Sequence, residues 1–470
     1  MSGNYLRVAV IPWGDPKNWK YVNYCFEDVC KKGFSTLSLL TSSPSLKPDL
    51  TIIYVLDTLY DDVREGDYES LTSRVRDLIK NYLCVDEEPN IVIEVIPGIM
   101  KKRIGEIEIL FNASPSDTKL MLLYRTYVKI LDKTATTEAK DNSLEILIDT
   151  THGLNYFTIL TREAVFEASS MLAAHGNRVK VKVFNSDPLD TKDLPGRSQP
   201  NPCAPKEDRE VPKTRYNLLY EVEVRPWDLT KYLRYSSGGS SSKLLTDVRD
   251  CNINQEHLNE LIKFSRRVTA SYRVGALVEL LTFVKEKPEA TQEILEIIDK
   301  AVKCWRMKAK VERLDEKTCE TTFTKLQEGF RLLLHAHAVV SGTKKLVKQQ
   351  LPAALSEVKE ARKKLLEGSE ITSALVDSEI GLIEKLRKEN KIPRDWTTYA
   401  EIMEEKEEVR TEVRDIKSDL GRTKRNFIAH AGLLKDFIEI KKEERVELRI
   451  KEECRELINE ILDEIFRELT

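Results

Sequence analysis

Along this chain, runs of β-branched and aliphatic residues alternate with segments whose apolar positions recur every three or four residues, and the alternation stops halfway. Arg7–Ile11 (RVAVI), Thr51–Leu56 (TIIYVL), Asn90–Ile96 (NIVIEVI), Leu144–Ile148 (LEILI) and Val179–Phe184 (VKVKVF) read as strands. Several are almost unbroken apolar runs, the pattern of parallel strands buried on both faces. Between them, Tyr68–Leu83, Ser116–Leu131 and Tyr156–Ala174 have helical length and spacing. This β-α alternation predicts a doubly wound, Rossmann-like α/β sheet. Asn217–Val224 (NLLYEVEV) adds a strand, and Asp187–Lys213, rich in Pro, Asp and Lys, reads as an exposed insertion.

Tyr235–Ser242 (YSSGGSSS) cannot hold regular structure cheaply and reads as a linker. Beyond it helical periodicity dominates, from HLNELIKFSRRV to ELRIKEECRELINEILDEIFREL. The expected organisation is therefore a Rossmann-like N-terminal domain over 1–234, a linker over 235–253 and an all-α C-terminal region over 254–470.

At 470 residues the chain exceeds what one hydrophobic core serves, in keeping with two or more domains. With 33% charged residues but a net charge of only -3, nothing advertises bulk nucleic-acid affinity, so any nucleic-acid site must be a local patch. The opening MSGNYLRVAVIPWG lacks the features of a signal peptide, and no stretch approaches the roughly 20 apolar residues of a membrane helix, so a cytoplasmic location is expected. The eight cysteines are scattered without CxxC or a His/Cys cluster, so neither a metal centre nor a disulfide framework is expected. There is no GxGxxG or GxxxxGK[ST], which disfavours redox cofactors and P-loop chemistry, and no GxSxG or HExxH.

In doubly wound sheets ligands sit at the carboxyl ends of strands. Three such places are rich in small polar groups: Trp13-Gly14-Asp15, Thr41-Ser42-Ser43 after the short run Thr36–Leu40, and DTTHGLNYF at Asp149–Phe157. In the last, the hydroxyls of Thr150 and Thr151 stand at a helix start that favours phosphate, Gly153 permits close backbone approach, and His152 or Asn155 offers a bond to a ribose or base. A capped helix start with a tight turn explains the same residues equally well.

Near the other end, LGRTKRNFIAHAGLLKDF contains RNFIAH at Arg425–His430. On a continuous helix Phe427, Ala431, Leu434 and Ile438 form one apolar stripe with His430 at its edge. Asn426, one turn earlier, would orient the imidazole, whereas Arg425 points about 140° away. Both reach one atom only if the helix kinks or frays near Gly421 or Gly432, or if two copies meet across a dimer axis. A histidine that shuttles protons beside a permanent bidentate cation suits RNA cleavage by the substrate's own 2′-hydroxyl. A packed histidine with a solvated arginine is the structural alternative. His335 and His337 read as packing residues, and His175 as a cationic ring near a helix end closed by Gly176.

The combination resembles the CARF–HEPN ribonucleases associated with type III CRISPR systems. RNFIAH matches the HEPN pattern of Arg, a polar residue, three further residues and His; DTTHGLNY resembles the CARF ligand loop, and WGD and TSS fall where other CARF loops contribute. The resemblance implies a metal-independent endonuclease of single-stranded RNA that leaves 2′,3′-cyclic phosphate ends. Its activator would be a cyclic oligoadenylate, with a ring of four as the first candidate, and it would need no cofactor. Arg425, Asn426 and His430 carry over as the catalytic centre. Thr151, His152, Gly153 and Asn155 carry over as messenger contacts, with Trp13, Gly14, Ser42, Ser43 and Thr150 completing the expected binding set. It further implies a homodimer or an assembly of dimers, with two motif segments facing across a two-fold axis. The insertion 187–213 and the helical tract 343–391 exceed a minimal two-domain plan. The rival reading is a noncatalytic cyclic-oligonucleotide sensor whose helical half is an RNA-binding or scaffold module.

Overall fold

The computed structural model describes residues 5–469 except 60–65, 86–89, 138–141, 191, 193, 199, 208–209, 236–242, 248–249, 349–350 and 404–418. The Gly/Ser run expected as a linker lies almost wholly outside the described residues. The chain divides into two compact units. The first comprises 1–169, 177–224 and 302–326; the second comprises 170–176, 225–301 and 327–470.

In the first unit the expected strands form β1 (Leu6–Trp13), β4 (Leu50–Leu56), β6 (Ile91–Ile96), β9 (Ser143–Asp149) and β10 (Arg178–Ser186), after a hairpin of β2 (Val22–Phe26) and β3 (Val29–Gly33). β10, β9, β1, β4 and β6 pair in parallel in that order. Every residue of β4 and β9 is buried, which is why these runs are mostly apolar, and the exception Glu145 in mid-strand is paired with Arg7 and Lys182. β11 (Lys213–Val224) adds antiparallel to β10, and β2 and β3 extend the sheet beyond it to eight strands. The helices between the parallel strands are α1 (Leu37–Ser42), α2 (Tyr68–Lys80), α3 (Pro115–Thr136) and α4 (Asn155–Ala174). α2 begins where the Asp67 carboxylate caps the Ser70 N–H at 2.6 Å, and it buries Tyr68, Leu71, Thr72, Val75 and Ile79 on one face. α3 starts in the same way on Ser114. From β1 the chain steps to β4 and β6 on one side, then to β9 and β10 on the other, so the strand order switches between β1 and β9.

Four expectations for this unit change. Thr36–Leu40 is not a strand: LSLL opens the short helix α1 and buries Leu37, Leu39 and Leu40. The domain boundary falls at Val224/Arg225, and Val302–Leu326 returns to the first unit. The reason is a hairpin of β12 (Lys310–Asp315) and β13 (Thr318–Thr322), whose second strand pairs with β8 (Ile107–Asn112) in a second sheet that also includes β5 (Gly66–Asp67) and β7 (Ile99–Ile104). The insertion 187–213 is anchored. Arg197 is 5% exposed, donates from Nε to the Pro16 carbonyl at 2.9 Å, and lies 4.0 Å over the Phe34 ring. Finally, disulfides are present: Cys84 joins Cys203 of the insertion, and Cys25 joins its register partner Cys30 across the β2–β3 hairpin. Neither pairing has a spacing signature, since one spans 119 positions and the other depends on a hairpin that the apolar pattern does not announce.

The second unit is mostly helical: α5 (Gln255–Val274), α6 (Leu277–Glu286), much of α7 (Ala290–Lys308), α8 (Glu328–Lys344), α9 (Leu355–Leu365), α10 (Glu370–Lys388), the short α11 (Tyr399–Met403), a motif helix (Leu420–Ala429) and a terminal helix (Arg455–Arg467). α8, LLLHAHAVV at its centre, is buried all round and packs against α5, α6 and α9. His335 there meets the Tyr235 hydroxyl at 2.9 Å, consistent with a packing role. His175 differs from expectation: burial, Lys345 and His337 lower its pKa to about 3, so the ring is neutral and its Nδ1 receives the Lys345 ammonium at 2.9 Å. The unit is not all-α. β14 (Ala353–Ala354), β15 (Thr397–Thr398), β16 (Ile438–Lys442) and β17 (Val446–Ile450) form a four-stranded sheet in the order β14-β17-β16-β15. Ile438, Ile440, Val446, Leu448 and Ile450 are buried at every second position, a period of two hidden among charged residues that suit a helix equally well. Among the described residues no helix is long and apolar enough to cross a membrane.

Candidate functional sites

The loops at the strand-order switch of the first unit enclose a cleft of about 460 Å³. The loops after β1 and β9 are tied together, because the Gly14 N–H donates to the His152 carbonyl at 2.8 Å. A Cβ at Gly153 would stand 2.0 Å from the Thr158 hydroxyl and 3.3 Å from the Pro12 carbonyl, so the glycine lets the loop pass close to α4 and β1. Asp149 is fully buried at the end of β9, takes the Thr36 hydroxyl and the Thr151 N–H, and has its pKa raised by burial. Thr150 satisfies the Phe184 carbonyl, while the Thr151 hydroxyl accepts from the Ser186 N–H at 3.1 Å.

Thr151 and His152 line the cleft, with Trp19, Lys20, Tyr24, Asn185, Ser186 and Asp187. The His152 ring lies 4.2 Å from the Trp19 ring at a 31° tilt, and its Nε2 is 3.2 Å from the Tyr24 hydroxyl. Burial, and after it the charge of Arg197, hold His152 well below the ordinary histidine value, so it is neutral at neutral pH. Trp13 is buried behind this cluster, edge-on to Trp19. Ser42 and Ser43 are not brought to the cleft, because α1 carries them elsewhere and Ser43 is buried against Ser45. Asn155 is exposed at the first position of α4 and does not line the cleft. Trp19 and Lys20, in the segment before β2, and Tyr24, on β2, had no signal in the sequence, since the hairpin that follows β1 is not announced there.

In the second unit, RNFIAH lies on the motif helix, which starts where Asp419 caps the Arg422 N–H at 2.9 Å. Phe427 is fully buried, and Lys424 ties the helix to the terminal helix through Glu468 at 2.6 Å and Glu464 at 3.3 Å. Arg425 and Asn426 are exposed. The helix ends at Ala429, with His430 as its cap and Ala431 and Gly432 in the left-handed region at φ +47° and +79°. The stripe expected to run to Ile438 is therefore cut, and Ile438 opens β16. The His430 side chain is 42% exposed, and its Nδ1 meets a Glu379 carboxylate oxygen on α10 at 2.8 Å. Among the described residues Glu379, not Asn426, is the side-chain hydrogen-bond partner of the ring, which corrects the role expected for Asn426; no spacing rule links positions 51 apart. Among the described residues no three His, Cys, Asp or Glu side chains gather to hold a metal.

Comparison with known proteins separates the chain along the same lines. Residues 8–188 match the model of the CARF domain of CRISPR system endoribonuclease Csx1, and residues 369–452 match the model of its HEPN domain. The second match includes α10 and the motif helix, so the later part of the 343–391 tract belongs to the HEPN plan. A CRISPR system endoribonuclease Csx1 of Methanocaldococcus jannaschii is 24% identical over 449 residues, spanning 92% of this chain and 86% of that protein. The solved structure of Enterococcus italicus Csm6 bound to cyclic hexa-2′-fluoro-hexa-dAMP aligns with 99% of this chain and 100% of its own. Its identity is 10% and its TM-score 0.25, too loose to carry a structural argument. The chain belongs to the CARF–HEPN family of CRISPR system endoribonucleases.

Proposed function

We propose that the chain cuts single-stranded RNA without a metal ion when a cyclic oligoadenylate, with cyclic tetra-adenylate the first candidate, occupies the cleft of its first unit. That unit, 1–224 with 302–326 and without 170–176, is the Rossmann-like CARF sensor; the second is the HEPN nuclease. The observation that carries the reading is Arg425 exposed on the motif helix and His430 at its end, within the HEPN-matched segment. In the reaction, His430 takes the proton of a ribose 2′-hydroxyl as its oxygen bonds to the adjacent phosphorus. The bond to the 5′-oxygen breaks, that oxygen leaves with a proton, and a 2′,3′-cyclic phosphate remains. Arg425 balances the charge that builds on the phosphate oxygens. Motif helices paired across a two-fold axis supply a second imidazole for the departing oxygen and a symmetric seat for a symmetric messenger.

In the sensor, neutral His152 and Trp19 offer the stacking surface that an unpaired base requires, and Lys20 offers a phosphate partner. The test is cleavage of end-labelled single-stranded RNA in EDTA, with and without cyclic tetra-adenylate, by the natural chain and by His430→Ala. Messenger-dependent cutting that falls by about 10²-fold or more in the variant is expected. Equal cutting by the variant removes His430 from the chemistry. No cutting with any ring size leaves a sensor with a scaffold.

A further inference from the structure

Three features of the second unit converge on His430. The residue caps its helix at φ −104° and ψ 14°, so the helix does not aim the ring, while its backbone is held by N–H donation to the Asn426 carbonyl at 3.0 Å and by its carbonyl accepting the Leu433 N–H at 2.9 Å. The ring is 42% exposed on one side, while its Nδ1 meets Glu379 Oε1 at 2.8 Å on the other. Glu379 itself is 6% exposed, and its helix buries Val376, Ile380 and Ile383 around it. Its second oxygen has no hydrogen-bond partner among the described residues, nor has the buried Tyr399 hydroxyl, whose pKa is raised by burial and then by the Glu379 charge. The carboxylate therefore has one directed partner, the imidazole.

We infer that Glu379 is the positioning residue of the nuclease site, holding His430 in the tautomer that leaves Nε2 free to take the 2′-hydroxyl proton. A carboxylate only accepts hydrogen bonds, so Nδ1 carries the ring proton and donates it, and the lone pair stays on Nε2. When Nε2 takes the substrate proton the imidazolium forms against a buried negative charge, which steadies it as the oxygen–phosphorus bond forms. Glu379 touches neither RNA nor the reacting atoms; it acts through the ring. The inference rests on the reading of His430 as the proton acceptor.

The test has two parts. In the natural chain with isotope-labelled histidine nitrogens, a long-range proton–nitrogen correlation spectrum identifies the tautomer, His430 being assigned by the signal lost in His430→Ala. A proton on Nδ1 is expected, and a proton on Nε2 overturns the inference without any substitution in α10. Glu379→Gln keeps the side chain's shape but places an amide that can donate to Nδ1 and select the other tautomer. A fall of about 10²- to 10⁴-fold in kcat is expected, with KM for RNA and messenger binding unchanged and the Nε2–H signature appearing. If His430→Ala is dead while Glu379→Gln cuts at the natural rate, the positioning role fails and the nuclease reading stands. If His430→Ala itself cuts normally, the nuclease reading fails and takes this inference with it.

Discussion

Glu279, on α6, is fully buried, and neither of its carboxylate oxygens has a hydrogen-bond partner among the described residues. It lies against the end of the motif helix: a Cβ built on Gly432 would stand 2.6 Å from Glu279 Oε2 and 2.8 Å from the Ala276 Cβ. Burial pushes the carboxyl pKa from 4.5 up to about 8. The folded value lies above the unfolded one, so the folded chain keeps a proton that the unfolded chain has already lost. No ionisation penalty applies below about pH 4.5, and stability is lost progressively as pH rises from there through about 8. Each pH unit in that window is worth about 1.4 kcal/mol, so the full window has a ceiling of about 5 kcal/mol. Glu279→Gln keeps the volume and cannot ionise. Equilibrium urea unfolding of both chains, followed by circular dichroism between about pH 5.5 and 9, should show the variant gaining on the natural chain by about 1.4 kcal/mol per pH unit and then levelling near pH 8. A difference in unfolding free energy that does not change with pH refutes the reasoning, because it means the carboxyl titrates alike in both states.

Two other predictions concern the remaining buried chemistry. Lys285 and Glu357 pair at 2.6 Å with side chains only 1% and 3% exposed, and the ammonium also donates to the Pro352 carbonyl at 3.0 Å. Lys285→Met leaves the buried Glu357 carboxylate without its cation, held only by the Lys348 and Ala354 N–H groups at 2.9 Å, and should cost about 3–5 kcal/mol in urea unfolding; a loss under about 1 kcal/mol contradicts this. Trp19→Leu keeps an apolar side chain in the cleft but removes the stacking surface beside His152. Its affinity for cyclic tetra-adenylate by calorimetry should fall about 10- to 100-fold, with the cutting rate at saturating messenger unchanged, and undiminished binding places the messenger elsewhere.

How much was legible depended on whether a residue's partner was near it in sequence. The parallel strands announced themselves, because β4 and β9 are buried on both faces and a doubly buried strand is mostly apolar, admitting a charge such as Glu145 only where it is paired. The switch-point loops followed from those strands, and Thr151 and His152 line the cleft there while Gly14 ties its loop to theirs. Tyr24 on β2 was missed because the β2–β3 hairpin is of mixed polarity: the edge strand VCKKG exposes its middle residues and looks like a loop, and Trp19 lies in the segment just before it. The β16–β17 hairpin was missed for a related reason. Its outward positions carry pairs such as Lys441 with Glu447 and Arg449 with Glu439, and the same alternation of charges suits an exposed helix. Arg197 looked like part of a solvated insertion because nothing local shows a cation over Phe34 and Tyr82, at 4.0 and 4.9 Å.

The motif itself shows how the element expected around a residue can differ from the one it occupies. A helix continued through Ala431 and Leu434 would lay His430 along an apolar seam and leave Arg425 pointing about 140° from it. The chain avoids that arrangement at two adjacent residues. Ala431 and Gly432 both take left-handed backbone, the Gly432 N–H closes onto the Phe427 carbonyl at 2.9 Å, and the helix stops at Ala429, one residue before the ring. Glycine is required at the second position twice over, by its φ of +79° and by Ala276 and Glu279 pressing where a Cβ would stand. The cue was present in the sequence as a glycine two residues past the histidine. Its weight lies in α6, more than 150 positions earlier, where a buried acid and a small residue hold the helix end in place. Released from the helix by that stop, the imidazole takes its direction from Glu379. The reach of RNFIAH is thus set by two buried carboxyl side chains that lie outside the motif.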